Sequence, residues 1–164
     1  MTTGKPLPRV VVSRCLGFAC CRYDGRCKPS PEVTELNGLV ELVTVCPEVD
    51  IGMGVPRPPI NLHKEGDAVR VKQESTGVDW TERLESYSRA FIAEHGCPDA
   101  FILKSRSPSC GLETTPLRNG KEVIGLTSGV FAAFAKEHCK SSVFVDEEQL
   151  RRMGVQGFLR LLEP

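Results

Sequence analysis

Short apolar runs separated by turn residues dominate the hydrophobic pattern of the chain. Four of these runs are rich in β-branched residues and have the length expected of buried strands; they are Arg9–Ser13, Val40–Val45, Ala100–Lys104 and Ser142–Val145. Two further segments, Ile60–His63 and Ala68–Lys72, flank a turn of charged residues and glycine. That arrangement predicts a β-hairpin inserted between the main strands.

Helical periodicity fills several of the intervals between these strands. A stripe of apolar residues runs from Trp80 to Phe91 and predicts a helix over Asp79–His95. Asp79 and Glu82 resemble a capping box at its start. The other predicted helices are Ser128–His138, Asp146–Met153, Gln156–Leu162 and one that begins at Ser30 with Pro31 at its first helical position.

The alternation of strands and helices fixes the expected fold class. Such alternation is typical of an α/β domain in which right-handed crossovers join parallel strands. The 164 residues correspond to one domain at about 150 residues per domain. We therefore predict a single domain over residues 1–164, Rossmann-like, with a mostly parallel sheet and a small β-hairpin insertion.

The charge balance limits the classes of partner. Lysine and arginine number 21 and aspartate and glutamate also number 21, so the formal net charge is zero. The chain lacks the basic surface of a DNA-binding protein, and the same balance disfavours RNA. No apolar run approaches the roughly 20 residues that cross a bilayer. We expect a small-molecule partner, no membrane, and a monomer or weak homo-oligomer.

Eight cysteines are more than a chain of this size needs for its core. The first residues lack the apolar segment of a secretory signal peptide. We therefore expect a cytoplasmic protein with reduced thiols, since disulfides persist mainly in oxidising compartments. Spaced cysteines in a reducing compartment more often indicate metal binding or catalysis.

Three cysteines follow predicted strands. Cys15 comes two residues after the first strand, Cys46 directly follows the second, and Cys110 lies in the turn-rich segment after the third. Ligands of open α/β sheets bind outside the carboxyl ends of the strands, so these thiols are expected to converge. Three thiolates are one short of a closed zinc site or a fully ligated iron–sulfur cube, which leaves an open position for a substrate.

The other five cysteines carry weaker signals. Cys97 and Cys139 follow predicted helix ends, where a small buried thiol is the simplest interpretation. Three more crowd near Cys15 in a C-x4-C-C-x5-C pattern, without the C-x2-C spacing of strong zinc motifs; they are Cys20, Cys21 and Cys27. A local zinc loop therefore stays open as an alternative.

Several ordered motifs resemble the DUF523 family, which includes [4Fe-4S]-dependent thiouracil desulfidases. The motifs are VSRCLG, CRYDG, VCPEVDIGMGVPRP and ILKSRSPSCG, and the resemblance runs from about Val10 to Val145. It implies a [4Fe-4S] cluster held by three cysteines, with one open iron that binds the sulfur of the substrate. The matching positions are Cys15, Cys46 and Cys110.

The same resemblance implies two catalytic residues. Glu48 matches the acidic residue of the C-P-E motif and is expected to act as general acid/base, although it could be a surface glutamate. Ser107 matches the S-P-S-C serine and is expected to bind or protonate the substrate or released sulfide, although it could serve only the loop backbone. Lys104 could neutralise the cluster or the hydrosulfide, Asp24 is interpreted as a turn residue, and Arg57 as a rim cation.

The expected function is removal of sulfur from a small thiolated nucleobase such as 2-thiouracil, giving uracil and hydrosulfide. The cluster would serve as Lewis acid and sulfur acceptor, without net electron transfer. The alternatives are a non-catalytic zinc- or iron–sulfur-binding module, a sulfur-transfer enzyme, and an enzyme that desulfurates thiolated tRNA.

Overall fold

The computed structural model describes residues 4–164. The strands of this range are β1 (Arg9–Ser13), β2 (Glu41–Val45), β3 (Asn61–Glu65), β4 (Ala68–Gln73), β5 (Val78–Asp79), β6 (Ala100–Leu103), β7 (Thr115–Asn119), β8 (Glu122–Thr127) and β9 (Val143–Asp146). Its α-helices are α1 (Pro31–Glu35), α2 (Pro47–Asp50), α3 (Thr81–His95), α4 (Val130–His138) and α5 (Glu147–Leu161). No helix in residues 4–164 has the apolar length that crosses a bilayer.

The predicted main strands form one parallel sheet with the order β2-β1-β6-β9. Helices cover both faces of this sheet. The strands are therefore covered on both sides, which explains their continuous apolar runs. Val10 and Val12 of β1 pack with α1 and α5, whereas Val11 packs with α3 and α4, because successive strand residues point to opposite faces. The predicted α/β class with a mostly parallel sheet is confirmed.

The sheet order creates a switch point at the carboxyl end of β1. The connection from β1 to β2 carries α1 on one face, and the connection from β2 to β6 carries α3 on the other. The connections that lead into β2 and β6, the two neighbours of β1, therefore lie on opposite faces of the sheet. A crevice is left between them at this edge. Ligands of doubly wound sheets bind at such a crevice.

The predicted hairpin is part of a second sheet, larger than the sequence indicated. Its strands are ordered β5-β4-β3-β7-β8, and β3 and β4 form the expected antiparallel pair. The prediction missed β5, β7 and β8, although the Asn119-Gly120 dipeptide between β7 and β8 marks a hairpin turn. Leu62 and Val71 of this sheet pack against Leu84 of α3.

The start of α3 differs from the predicted capping box. The helix begins at Thr81, and Asp79 Oδ1 accepts hydrogen bonds from Thr81 N at 2.9 Å and Thr81 Oγ1 at 2.6 Å. Glu82 instead accepts from Arg70 Nη2 at 2.8 Å. The prediction is wrong because the N-cap residue is Trp80 and not Asp79, and because Glu82 is bound by an arginine of the second sheet.

The two helices predicted near the C-terminus form one element with a break. Asp146 and Gln149 make a reciprocal capping box at the start of α5. Gly154 then adopts φ 72° within the element, a conformation that favours glycine. The break falls between the two predicted segments.

Two disulfides contradict the expectation that all thiols are reduced. Cys97 pairs with Cys139, and Cys20 pairs with Cys27. Neighbouring parallel strands β6 and β9 align the segments that precede them, which brings the Cα atoms of Cys97 and Cys139 to 5.4 Å. The packing interpretation is wrong for Cys97, which is exposed, whereas Cys139 is 2% exposed and packs in the hydrophobic core as expected, although it too is disulfide-bonded. The zinc-loop alternative is also wrong, because Cys20 and Cys27 are bonded to each other.

Candidate functional site

A cavity of about 430 Å³ lies at the crevice formed by the carboxyl ends of β1, β2 and β6. In the described part of the chain four cysteines are free, and all of them line this cavity; they are Cys15, Cys21, Cys46 and Cys110. The three thiols expected from strand position are thus brought together. Cys21 is a fourth member that the sequence did not identify.

Cys15 and Cys46 are held by a network that joins the ends of β1 and β2. Cys15 lies in a short 3-10 helix after β1, and Cys46 is the N-cap residue of α2. Arg14 binds Asp50 of α2 through two hydrogen bonds of 2.9 and 3.2 Å. Tyr87 Oη also donates to Asp50, at 2.5 Å. This network sets the position of both thiols.

Cys21 lies against this pair and is only 5% exposed. Its interaction with Cys15 raises the pKa of Cys21, and its interaction with Cys46, together with burial, raises the pKa of Cys46. Burial raises the pKa of Cys110 to about 12. Buried thiols of this kind stay protonated unless a positive charge, such as a metal, lies beside them.

The loop that carries Cys110 is anchored at its start by Glu147. This carboxylate accepts hydrogen bonds from Ser105 N at 2.8 Å, Ser105 Oγ at 2.6 Å and Lys104 Nζ at 2.7 Å. Lys104 lines the cavity, but its charge is offset by Glu147. The ammonium group is therefore already paired, in contrast to the role suggested from the sequence.

The N-terminus of α4 holds the other end of the loop. Val130 N donates to Pro108 O at 3.1 Å, and Ala132 N donates to Ser109 O at 3.1 Å. Gly129 lies so close that a Cβ atom there would contact Ser109 O at 2.6 Å and Cys110 N at 2.7 Å. Glycine at this position allows the helix to approach the backbone of the cysteine loop.

Glu48 is buried beside the thiols, with 9% exposure. Its Oε1 accepts from Arg57 Nε at 3.2 Å, and its Oε2 accepts from Ser109 Oγ at 2.9 Å. The alternative of a surface glutamate is wrong. The interpretation of Arg57 as a rim cation is also wrong, because Arg57 is 7% exposed and pairs with a buried carboxylate.

Two serines connect Glu48 to the open part of the cavity. A hydroxyl donates one hydrogen bond, and Ser109 Oγ uses its proton on Glu48. The 3.1 Å contact between Ser107 Oγ and Ser109 Oγ therefore has Ser107 as donor. Ser107 Oγ also accepts from Cys110 N at 3.0 Å, so it serves the loop backbone as well.

The donor set fits an iron–sulfur cluster better than a single metal ion. In residues 4–164 no three histidine, cysteine, aspartate or glutamate side chains gather closely enough to hold one ion. The free thiols are instead distributed around a cavity, and thiolates are the usual ligands of iron–sulfur clusters. Six cationic side chains also line the cavity, and five of them are paired with carboxylates of the protein; the paired ones are Arg14, Arg22, Arg57, Lys104 and Arg106, and the sixth is Lys28.

Comparison with known proteins identifies the family. The family model described as 2-thiouracil desulfurase matches residues 10–148. The chain belongs to the 2-thiouracil desulfurase family. Membership places it among desulfurase enzymes, and the matched residues include every free cysteine of the cavity together with Glu48 and Ser107.

Two relatives show how far the similarity extends. The uncharacterized protein YbbK of Bacillus subtilis (strain 168) is 33% identical over 139 residues, which cover 78% of this chain and 89% of that protein. A solved structure of the [4Fe-4S]-dependent thiouracil desulfidase TudS is 28% identical, with a TM-score of 0.69. The match covers 94% of this chain and 99% of that one. This family member shares the α/β fold described above.

The CRYDG motif of the family forms a turn at the rim of the cavity. Asp24 Oδ1 accepts from Arg26 N at 3.0 Å, so Asp24 is the turn residue that the sequence predicted. Arg22 and Tyr23 line the cavity from this turn. The turn lies within the segment that the Cys20–Cys27 disulfide closes.

Gly129→Ala is expected to damage the cysteine loop. The added methyl group would overlap the backbone of Ser109 and Cys110, and overpacking typically costs about 1–3 kcal/mol of stability. Chemical denaturation measures this loss. Gly125→Ala is the matched control, since no heavy atom lies within 4 Å of its Cβ position; equal stability of the two variants would contradict the packing described here.

Proposed function

We propose that this protein removes sulfur from a small thiolated nucleobase, such as 2-thiouracil, with water as the oxygen donor. The observation that carries the proposal is the convergence of all four described free thiols on one cavity that also holds a buried carboxylate, Glu48. The reaction converts a C=S group and water into a C=O group and hydrogen sulfide. Its atoms balance without an oxidant or reductant.

Cys15, Cys46 and Cys110 are the proposed ligands of a [4Fe-4S] cluster. Each follows a different strand of the parallel sheet, so rigid elements fix the three sulfurs independently. When bound, the cluster supplies a thiophilic Lewis acid with one open iron for the sulfur of the substrate. Cys21 is proposed to stay outside the ligand set and to contact the thiols of Cys15 and Cys46.

Glu48 is the proposed general acid/base. Its Oε1 is engaged by Arg57, so Oε2 is the oxygen available for proton exchange. Ser109 Oγ lies 2.9 Å from that oxygen and 3.1 Å from Ser107 Oγ. A proton can therefore move along the hydroxyl groups of Ser107 and Ser109 to the carboxylate. Positioned groups of this kind typically contribute about 10²–10⁴-fold to a rate.

Ser109→Ala is expected to lower kcat by about 10- to 100-fold, the usual effect of losing an outer partner of a reactive group. The substitution removes the hydroxyl that links Glu48 to Ser107 and leaves the backbone of the loop in place. Steady-state kinetics on iron-loaded protein measure the effect. Ser88→Ala is the matched control, because Ser88 is equally buried but donates to Leu84 O within α3. Equal kcat values for both variants would contradict a proton relay from Ser107 through Ser109 to Glu48.

The proposed function is tested by turnover of free 2-thiouracil. Protein prepared and assayed without oxygen should release uracil and hydrosulfide in equal amounts, with no added reductant. Activity on thiolated tRNA without activity on 2-thiouracil would show that the substrate is RNA and not the free base. Absence of turnover on both compounds by iron-loaded protein would overturn the proposal.

A further inference from the structure

Arg57 lies in the connection between α2 and β3 and takes no direct part in the proposed chemistry. Its neighbours Pro56 and Pro58 restrict the backbone on both sides. Its side chain is nearly fully buried beside the cavity. A buried guanidinium keeps its charge under all ordinary conditions, so its surroundings must supply matching acceptors.

The acceptors come from three different segments. Arg57 Nε donates to Glu48 Oε1 at 3.2 Å, Nη1 donates to Gly54 O at 2.9 Å, and Nη2 donates to Cys21 O at 3.0 Å. Its backbone N–H also donates to Tyr23 O at 2.8 Å. Because the guanidinium is planar and rigid, the two carbonyl contacts fix the direction of the Nε–H bond.

We infer that Arg57 is a positioning residue that fixes the orientation of the Glu48 carboxylate. By holding Oε1, it leaves Oε2 directed at Ser109 and keeps the relay to Ser107 in line. The inference rests on the proposed role of Glu48. Arg57 also binds both the turn that carries Cys21 and this carboxylate. It therefore fixes the position of the thiols relative to Glu48.

Two variants of Arg57 separate orientation from charge. Arg57→Met removes the positive charge and every side-chain hydrogen-bond donor while it keeps a long, unbranched side chain. Arg57→Lys keeps the charge but cannot reproduce the planar fork. On anaerobically prepared, iron-loaded protein we expect Arg57→Met to lower kcat by about 10- to 100-fold with KM nearly unchanged, and Arg57→Lys to recover only part of the loss. Arg70→Met is the control, because Arg70 pairs with Asp79 and Glu82 away from the cavity.

A double-mutant cycle shows whether Arg57 acts through Glu48. If it does, Arg57→Met should cause no further loss of kcat in the Glu48→Gln background. Iron content and the visible absorption spectrum should match those of the unchanged protein in each variant. These two readouts would change if the role of Arg57 were to hold the cluster loops in place.

Three results would overturn the inference. The first is full kcat in Arg57→Met while Glu48→Gln is impaired. The second is an effect that adds in full to that of Glu48→Gln. The third applies if Arg57→Met does not load iron, in which case Arg57→Lys decides. The inference is then overturned if Arg57→Lys loads iron and has full kcat, or if Arg57→Lys also fails to load iron. Full activity of Glu48→Gln would instead overturn the proposed function of Glu48.

Discussion

Glu48→Gln is expected to keep the iron of the protein and to lose its turnover. The amide preserves the shape of the side chain but cannot exchange a proton at the position that faces Ser109. Loss of a general acid/base typically costs about 10²–10⁴-fold in rate. The expected result is therefore a fall of that size in kcat, with an unchanged visible spectrum.

The burial of Glu48 makes this variant informative. The carboxylate contacts one cation, Arg57, and one hydroxyl, Ser109, and the amide keeps an oxygen that can accept one of these bonds. Steady-state kinetics with 2-thiouracil, together with iron analysis, measure both parts of the prediction. Glu82→Gln is the matched control, because Glu82 also pairs with an arginine, Arg70, but lies on α3 outside the cavity. A kcat equal to that of the control would remove Glu48 from the mechanism.

Cys46→Ser is expected to abolish the cluster. Cys46 is fixed as the N-cap residue of α2, and the sequence has no other cysteine between β2 and β3. Iron content should fall from about four atoms per chain to near zero, because a hard hydroxyl is a poor replacement for a soft thiolate ligand. The broad visible absorption should disappear with it.

Two other cysteine variants are the controls for Cys46. Cys20→Ser alters a residue that is bonded to Cys27 and does not line the cavity, so the iron should be retained. Cys21→Ser alters the fourth free thiol, and its iron should also be retained if Cys21 lies outside the ligand set. Loss of iron in Cys21→Ser with retention in Cys46→Ser would reassign the ligands.

The parallel sheet could be predicted because its signal is local. Arg9–Ser13 was predicted with the bounds that β1 has, since its three consecutive valines are buried on both faces. The position of three cysteines after strands then predicted a shared site, because parallel strands end at one edge. Strand β8 was missed although the sequence carries a signal for it: the Asn119-Gly120 dipeptide that precedes it marks a β-hairpin turn.

The partners of Glu48 could not be predicted, because they depend on contacts between distant segments. Ser109 lies 61 residues from Glu48 in the chain, and its only local signal is its place in the S-P-S-C motif. Arg57 lies nine residues from Glu48, but nothing in the sequence shows that the loop turns back on itself. The pairing of Cys97 with Cys139 likewise depends on the alignment of β6 and β9.

Metal analysis of protein purified without oxygen tests the central claim most directly. The claim is that three of the four free cysteines around the cavity hold a [4Fe-4S] cluster beside Glu48. It predicts a brown protein with broad absorption near 400 nm and about four iron and four acid-labile sulfide atoms per chain. A colourless protein that contains one zinc ion per chain would contradict it.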